Sequence, residues 1–153
     1  MTEPVETDIW RDTWIRYLGY ANEVGESFRQ LVSTKVVRSS YAIAFAYTFG
    51  DTADKSYQML QKDGRPKRVL VEAGDALLWQ TLASVVIPGF VINRLCTYSI
   101  VYLKRYPTIP RTARSWIAVG VGLSSIPFIV KPIDSSTTWL MDSTYRRWVK
   151  NEL

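Results

Sequence analysis

Arg94 and Asp134 are the two charged residues whose positions beside apolar runs suggest a specific pairing. Arg94 ends an uncharged run but is followed by the apolar residues 95–103, so its guanidinium needs a partner or a route to polar surroundings. Asp134 follows a second apolar run and suits either a helix N-cap or a salt bridge to Arg94. Such a pair would be structural, because no histidine, cysteine or second acid is assembled beside either residue for catalysis.

The composition argues against an enzyme. The chain has no histidine, which removes the commonest metal ligand and the commonest general base. Its single cysteine, Cys96, cannot form an intramolecular disulfide and lies in an apolar run, as a small buried side chain would. We therefore predict no catalytic residue, no cofactor and no metal site.

The central apolar segment predicts a membrane helix over 76–103. Its uncharged part, 76–93, just reaches the ~20 residues that a bilayer requires. Pro88 should bend the helix and free the carbonyl of Ser84, and we expect neighbouring helices or polar side chains to cover that carbonyl. Asn93 and Arg94 close the uncharged run.

Two further segments, 36–53 and 115–131, are candidate membrane helices. The first is long enough to cross only if Arg38 extends to the interface, and the second contains Pro127. The polar stretch 51–75, which leads from the first of these segments to the central one, predicts a loop or a partly helical connection.

Amphipathic helices are predicted at both ends, over 7–33 and 134–150. In the first, Asp8 suits the helix start, and apolar residues recur at helical spacing while Glu23 and other charged residues lie mostly elsewhere. This helix could pack on its own protein or lie in a membrane interface with its aromatic residues at headgroup level. Ala21 and Gly25 form a small-xxx-small pair that permits close helix packing.

The charge of the chain indicates anionic partners. Its 153 residues carry a formal net charge of +5, and the basic residues are scattered rather than clustered. We expect a phospholipid surface, with cardiolipin as one candidate, and no nucleic acid. The acidic start of the sequence resembles neither a secretory signal nor an Arg-rich presequence, so we expect any import into an organelle to use an internal signal.

Three blocks of sequence resemble a known family. They are RYLGYANEVGESFR at 16–29, WQTLASVVIPGFVINRLC at 79–96, and IPFIVKPID at 126–134 followed by LMD at 140–142. In this order they resemble the mitochondrial fission process protein family. The resemblance implies a small protein of the mitochondrial inner membrane, without a cleaved presequence, linked to division of that membrane and to its bioenergetic state. The family has no catalytic motif to transfer.

Together these observations predict an all-α protein with about three membrane-embedded helices flanked by amphipathic N- and C-terminal helices. The predicted function is non-enzymatic, in mitochondrial fission and inner-membrane organisation, through contacts with phospholipid and other inner-membrane proteins. The alternatives are an accessory subunit of a respiratory-chain or ATP synthase complex, a transport or proton-leak component, and a soluble helical bundle. The residues expected to carry structure or interaction are Ala21, Glu23, Gly25, Pro88, Asn93, Arg94, Pro127 and Asp134.

Overall fold

A computed structural model describes residues 8–152, apart from the side chains of 11, 12, 63 and 150–152. Every regular element in this part of the chain is helical, which confirms the predicted all-α class. The elements are α1 (Ile9–Asp12), a 3-10 helix (Trp14–Tyr20), α2 (Ala21–Ser27), α3 (Thr34–Asp63), α4 (Pro66–Gln80), a π-helix (Thr81–Val86), α5 (Ile87–Leu103), α6 (Arg111–Ser143) and α7 (Tyr145–Glu152).

The N-terminal region is not the single helix predicted over 7–33. Residue 7 lies outside the described residues, and the rest divides into α1, the 3-10 helix and α2. Asp8 caps α1 as expected, since its side chain accepts a hydrogen bond from the Trp10 amide at 3.0 Å. Gly19 lies in the 3-10 helix, where the chain packs closely against Tyr47 of α3.

The polar connection 51–75 is mostly helical. It continues α3 to Asp63, turns at Gly64 with a left-handed φ of 62°, and enters α4 at Pro66. Glycine suits this turn because it adopts positive φ without strain, and proline suits the first turn of a helix.

The central segment is helical through Pro88. The π-helix widens the turn that precedes this proline, and α4, the π-helix and α5 form one helical stretch, Pro66–Leu103. We expected a polar side chain to cover the Ser84 carbonyl that Pro88 frees. The structure shows this contact at the next residue, because Asn22 Nδ2 donates to the Val85 carbonyl at 3.0 Å.

The prediction of separate helices over 115–131 and 134–150 is wrong. Helix α6 runs from Arg111 to Ser143 and contains both Pro127 and Pro132. Asp134 therefore lies inside a helix and is not an N-cap. Ile133, Thr137 and Met141 are buried, and this packing stabilises α6 beyond Pro132 despite the low helix propensity of proline.

Two helical stretches of the described chain, rather than the three predicted, are long and apolar enough to cross a membrane. They are Pro66–Leu103 and Arg111–Val149, judged by length and composition alone. Only 33% and 22% of their most apolar windows are buried, whereas a core helix of a soluble protein would be mostly buried. Helix α3 falls outside this set because serines, Arg38 and Asp51 interrupt its apolar residues.

The apolar core lies between α5 and α6. Ile92 and Cys96 of α5 pack against Ala118 of α6, and Ile100, Ile126 and Ile129 surround them. Cys96 is buried, and its thiol donates to the Ala118 carbonyl at 3.4 Å. This core positions the two long helices side by side as an antiparallel pair, because only residues 104–110 connect them.

Candidate functional site

Helix α2 turns its polar side chains inward. Asn22, Glu23, Glu26 and Ser27 are at most 2% exposed, whereas Val24 is 41% exposed. Preceding it, Trp14 of the 3-10 helix is 72% exposed. This arrangement reverses the amphipathic order of a soluble helix, whose apolar stripe faces the core.

Glu26 is at the centre of a fully partnered cluster. Its carboxylate accepts hydrogen bonds from Arg29 at 2.6 and 2.7 Å, from the Tyr41 hydroxyl at 2.8 Å and from Asn93 Nδ2 at 2.9 Å. Burial favours the neutral acid, but these donors outweigh burial and lower the pKa of Glu26 below its ordinary value. The ionised carboxylate thus joins α2, α3 and α5.

Arg94 belongs to the edge of this cluster and not to a pair with Asp134. Its Nη2 donates to Asn93 Oδ1 at 2.7 Å, and its guanidinium lies 5.7 Å from the centre of the Phe90 ring. Within the described residues no ion pair joins Arg94 to Asp134. The predicted pair is absent because Arg94 lies on the exposed side of α5, where Asn93 and Phe90 support it.

Glu23 is as deeply buried as Glu26, yet it has no such partners. It is 1% exposed, and its Oε2 accepts no hydrogen bond in the described part of the chain. Burial, assisted by the nearby charge of Asp134, raises the pKa of Glu23 to about 8 from an ordinary value of 4.5. The structure therefore brings Glu23 and Asp134 together, a proximity that the sequence analysis did not predict.

Glu23 and Asp134 line a cavity of about 300 Å³ among the 3-10 helix, α2, α3, α6 and the junction of α4 with the π-helix. Its lining consists of Arg16, Gly19, Tyr20, Glu23, Tyr47, Asp51, Trp79, Gln80, Ala83, Ser84, Val130 and Asp134. Three of these residues are aromatic and three are acidic. The cavity is therefore polar and acidic inside a protein whose net charge is positive.

Asp51 is the acidic group of the cavity that has basic and amide partners. It is fully buried, its Oδ1 lies 2.5 Å from Lys55 Nζ, and it accepts a hydrogen bond from Gln80 Nε2. Lys55 also lies 3.7 Å from Asp8. These contacts tie α3 to α4 and to the start of α1.

The small residues Gly25 and Gly89 allow the helices to approach closely. A Cβ atom at Gly25 would overlap Ser40 Oγ and lie 2.7 Å from Ser40 Cβ, and a Cβ at Gly89 would overlap the Tyr41 hydroxyl. Gly25 therefore has the packing role predicted for it, whereas Ala21 is only partly buried. Pro88 is buried and Pro127 is exposed.

Four residues of the site were not predicted from sequence: Asn22, Glu26, Tyr41 and Asp51. A signal existed for the first two, because Asn22 and Glu26 share the helix face of Gly25, where the pair of small residues Ala21 and Gly25 predicted close packing. The described residues contain no group of three or more Asp, Glu, Cys or His side chains that could hold a metal ion.

The fold and its buried polar residues define a small all-helical protein with two candidate membrane-crossing stretches and many exposed large apolar side chains. The chain belongs to the family described as Mitochondrial 18 KDa protein (MTP18), whose sequence profile matches residues 11–75 and 65–140.

Relatives resemble the chain over almost its whole length. Mitochondrial fission process protein 1 of Caenorhabditis elegans is 47% identical, over 95% of this chain and 90% of the relative. The proteins of the same name from Homo sapiens and Danio rerio are 46% and 45% identical, over 96% and 95% of this chain and 93% and 91% of theirs. No solved structure matches the chain.

Proposed function

We propose that this chain acts in mitochondrial fission as a non-enzymatic protein of the inner membrane, through contacts with lipid and with other inner-membrane proteins. Its relatives at 45–47% identity bear the name mitochondrial fission process protein 1, and it shares nearly their full length. The observation that carries the membrane part of the proposal is the exposure of large apolar side chains along both candidate spans, together with the buried polar side chains of α2.

The exterior of both candidate spans supports this assignment. Phe90 of α5 and Phe128 of α6 are 63% and 77% exposed, and Trp116 and Val101 are also exposed. A soluble protein rarely leaves so many large apolar side chains in water, because burying each one is favourable by roughly 1.5–3 kcal/mol. In a membrane, lipid tails would cover these side chains and remove them from water.

Helix α3 also exposes large apolar side chains over 36–53, although Val37 and Ala44 are buried. Its buried residues include Thr48 and Asp51, while Ile43 and Phe49 are exposed. We therefore include this segment as a third membrane-embedded helix beside Pro66–Leu103 and Arg111–Val149. The exposed Trp14, Tyr17 and Trp148 near the ends suit amphipathic flanks at the headgroup level, and the net charge of +5 suits anionic lipid such as cardiolipin.

Replacement of the chain in depleted cells of the source organism tests the proposal. Wild-type protein should restore mitochondrial network length and resist alkaline carbonate extraction. Phe128→Glu should fail in both assays, because a carboxylate on the lipid-facing surface opposes insertion. The matched control is Gln61→Glu, at an exposed site beyond 36–53, which should behave as wild type.

Three results would contradict the proposal: extraction of the wild type by carbonate, normal networks after depletion, or full activity of Phe128→Glu. A native gel of gently solubilised mitochondria distinguishes this proposal from the alternative, a subunit of a large complex. Co-migration with a respiratory or ATP synthase complex would assign the chain to that assembly and make any effect on fission indirect.

A further inference from the structure

The cavity beside α2 contains more acidic than basic groups. Among its lining residues, Asp51 is neutralised by Lys55, while Glu23 and Asp134 have no basic partner in the described part of the chain. Glu23 is 1% exposed, and its Oε2 is an unpartnered oxygen within the wall of a cavity. A buried acid without a donor is costly, so an occupant that supplies a cation would stabilise it.

The remaining wall favours an organic cation over a metal ion. Tyr20, Tyr47 and Trp79 line the cavity together with the acids. Aromatic rings beside carboxylates are the surroundings in which proteins bind alkylammonium groups, because the rings attract a cation whose methylene groups also pack against them. A volume of about 300 Å³ accommodates such a group.

The position of the cavity relates it to the lipid surface. The uncharged runs of the two long helices end at Asp75 and Lys131, and these ends lie on the same side because the helices are antiparallel. A hydrogen bond of 3.0 Å from Trp79 Nε1 to Thr138 Oγ1 joins the helices there. Trp79 lies four residues from Asp75, or about 6 Å along a helix, so the cavity is just inside one boundary of the apolar region.

We propose that this cavity binds the ammonium group of a zwitterionic phospholipid, phosphatidylcholine or phosphatidylethanolamine, with Glu23 and Asp134 as its counter-charges. The exposed Arg16, which also lines the cavity, would meet the lipid phosphate at the opening. The inference rests on the proposed membrane function. It differs from general attraction to anionic lipid, because the cavity is acidic whereas the whole chain is basic.

The raised pKa of Glu23 shows that its surroundings disfavour a negative charge, which a cation beside the carboxylate would offset. Without a positive partner the buried carboxyl holds its proton up to about pH 8. An ammonium group placed beside it would favour the ionised form and lower that pKa.

The test uses the full chain in nanodiscs that contain equal amounts of phosphatidylcholine, phosphatidylethanolamine and phosphatidylglycerol. After release into a mild non-ionic detergent, native mass spectrometry counts the retained lipids. Phosphatidylglycerol has the same phosphate and tails but no ammonium group. We expect about fivefold enrichment of the two ammonium lipids over phosphatidylglycerol, as a modest cation interaction would give.

The double variant Glu23→Gln with Asp134→Asn should reduce this enrichment to parity. Neither residue loses an ion-pair partner, so the variant should stay folded, which circular dichroism and thermal unfolding check. Glu72→Gln, an exposed acid on α4, is the control and should keep the wild-type ratio. An unchanged ratio in the folded double variant would overturn the proposal, as would equal retention of all three lipids by the wild type.

Three further outcomes show whether the lipid source, this inference alone or the proposed membrane function is wrong. Saturable binding of free choline or ethanolamine to the detergent-purified chain, without lipid enrichment, would assign the cavity to a soluble amine and overturn the lipid source. A chain that inserts into nanodiscs but shows no selectivity contradicts only this inference. A chain that does not enter nanodiscs contradicts the membrane function as well.

Discussion

Glu23 and Glu26 lie three residues apart on the same short helix and are buried to the same degree, but their surroundings are opposite. Glu26 accepts hydrogen bonds from three different side chains, and the pKa of its carboxyl falls. Glu23 borders a cavity beside another acid, and its pKa rises to about 8. Burial alone therefore does not determine what a buried acid does, because the donors around it decide whether it is ionised.

This difference separates a structural region from an adaptable one. The Glu26 cluster connects three helices through satisfied hydrogen bonds, so we expect it to resist change. The Glu23 cavity has an unsatisfied oxygen and free volume, so a ligand can be accommodated there with little rearrangement. Substitutions at Glu26 and Glu23 should therefore have different effects on stability.

The largest expected effect is that of Glu26→Ala. This change leaves the Tyr41 and Asn93 donors without their acceptor and removes the ion pair with Arg29, which should cost about 3 kcal/mol of unfolding free energy. Unfolding of the purified chain in detergent micelles at neutral pH measures it. Glu23→Gln is the comparison and should not destabilise the protein; equal losses in the two variants would contradict the distinction.

The second prediction concerns the dependence of stability on pH. Between the ordinary pKa of 4.5 and the folded pKa of about 8, the folded chain holds a proton on Glu23 that the unfolded chain has released. The unfolding free energy should therefore fall as pH rises through this window, by about 2 kcal/mol once partial solvation is allowed for. The other charged groups of the cavity are Arg16, Asp134 and the Lys55-paired Asp51.

Glu23→Gln should remove most of this slope in melts recorded from about pH 5 to about pH 8. Glu26 has the opposite sign: its pKa is lowered, so its contribution is present above the ordinary value of 4.5 and is lost as pH falls below it. A wild-type slope that persists in Glu23→Gln would show that another group titrates.

The third prediction concerns the close packing beside the Glu26 cluster. Gly25→Ala places a methyl group against Ser40, next to Tyr41, and should destabilise by about 1–2 kcal/mol. Gly120→Ala is the matched control, because nothing lies within 4 Å of the added Cβ and alanine favours a helix by roughly 0.5–1 kcal/mol. The same thermal assay should give opposite signs, and a loss at Gly120 would contradict this packing.

The smallest expected effect is that of Arg94→Leu. The guanidinium is exposed and contacts its neighbour Asn93 and the Phe90 ring, so the stability of the purified chain should change by no more than about 0.5 kcal/mol. Its effect should add to that of Asp134→Asn, because no pair joins the two residues. A coupling energy well above the experimental error in a double-mutant cycle would instead support the salt bridge predicted from sequence.

Local sequence patterns were sufficient for the class of the protein and for several of its elements. Apolar runs predicted helices, and the buried state of Cys96 followed from its apolar neighbours. The three blocks that resemble a family led to the family that the comparisons confirm. These features depend on residues close together in the chain.

Local patterns were insufficient where distant residues or surroundings decide. Asp134 suited the start of a new helix, but packing of Ile133 and Thr137 carries α6 through this position. The spacing of apolar residues along α2 revealed two faces without indicating which of them is buried. A periodic pattern is the same whether the apolar face meets a core or lies outside it.

The sequence by itself determined the helical class, the family and the approximate location of the apolar helices, since these follow from propensity, periodicity and similarity. Only the tertiary structure decided which acid is satisfied and which is not. Asn93 lies 67 residues from Glu26, and Asn22 lies 63 residues from Val85. Such contacts depend on how whole helices pack, because helix packing fixes which side chains meet, and spacing within one helix carries no information about its neighbours.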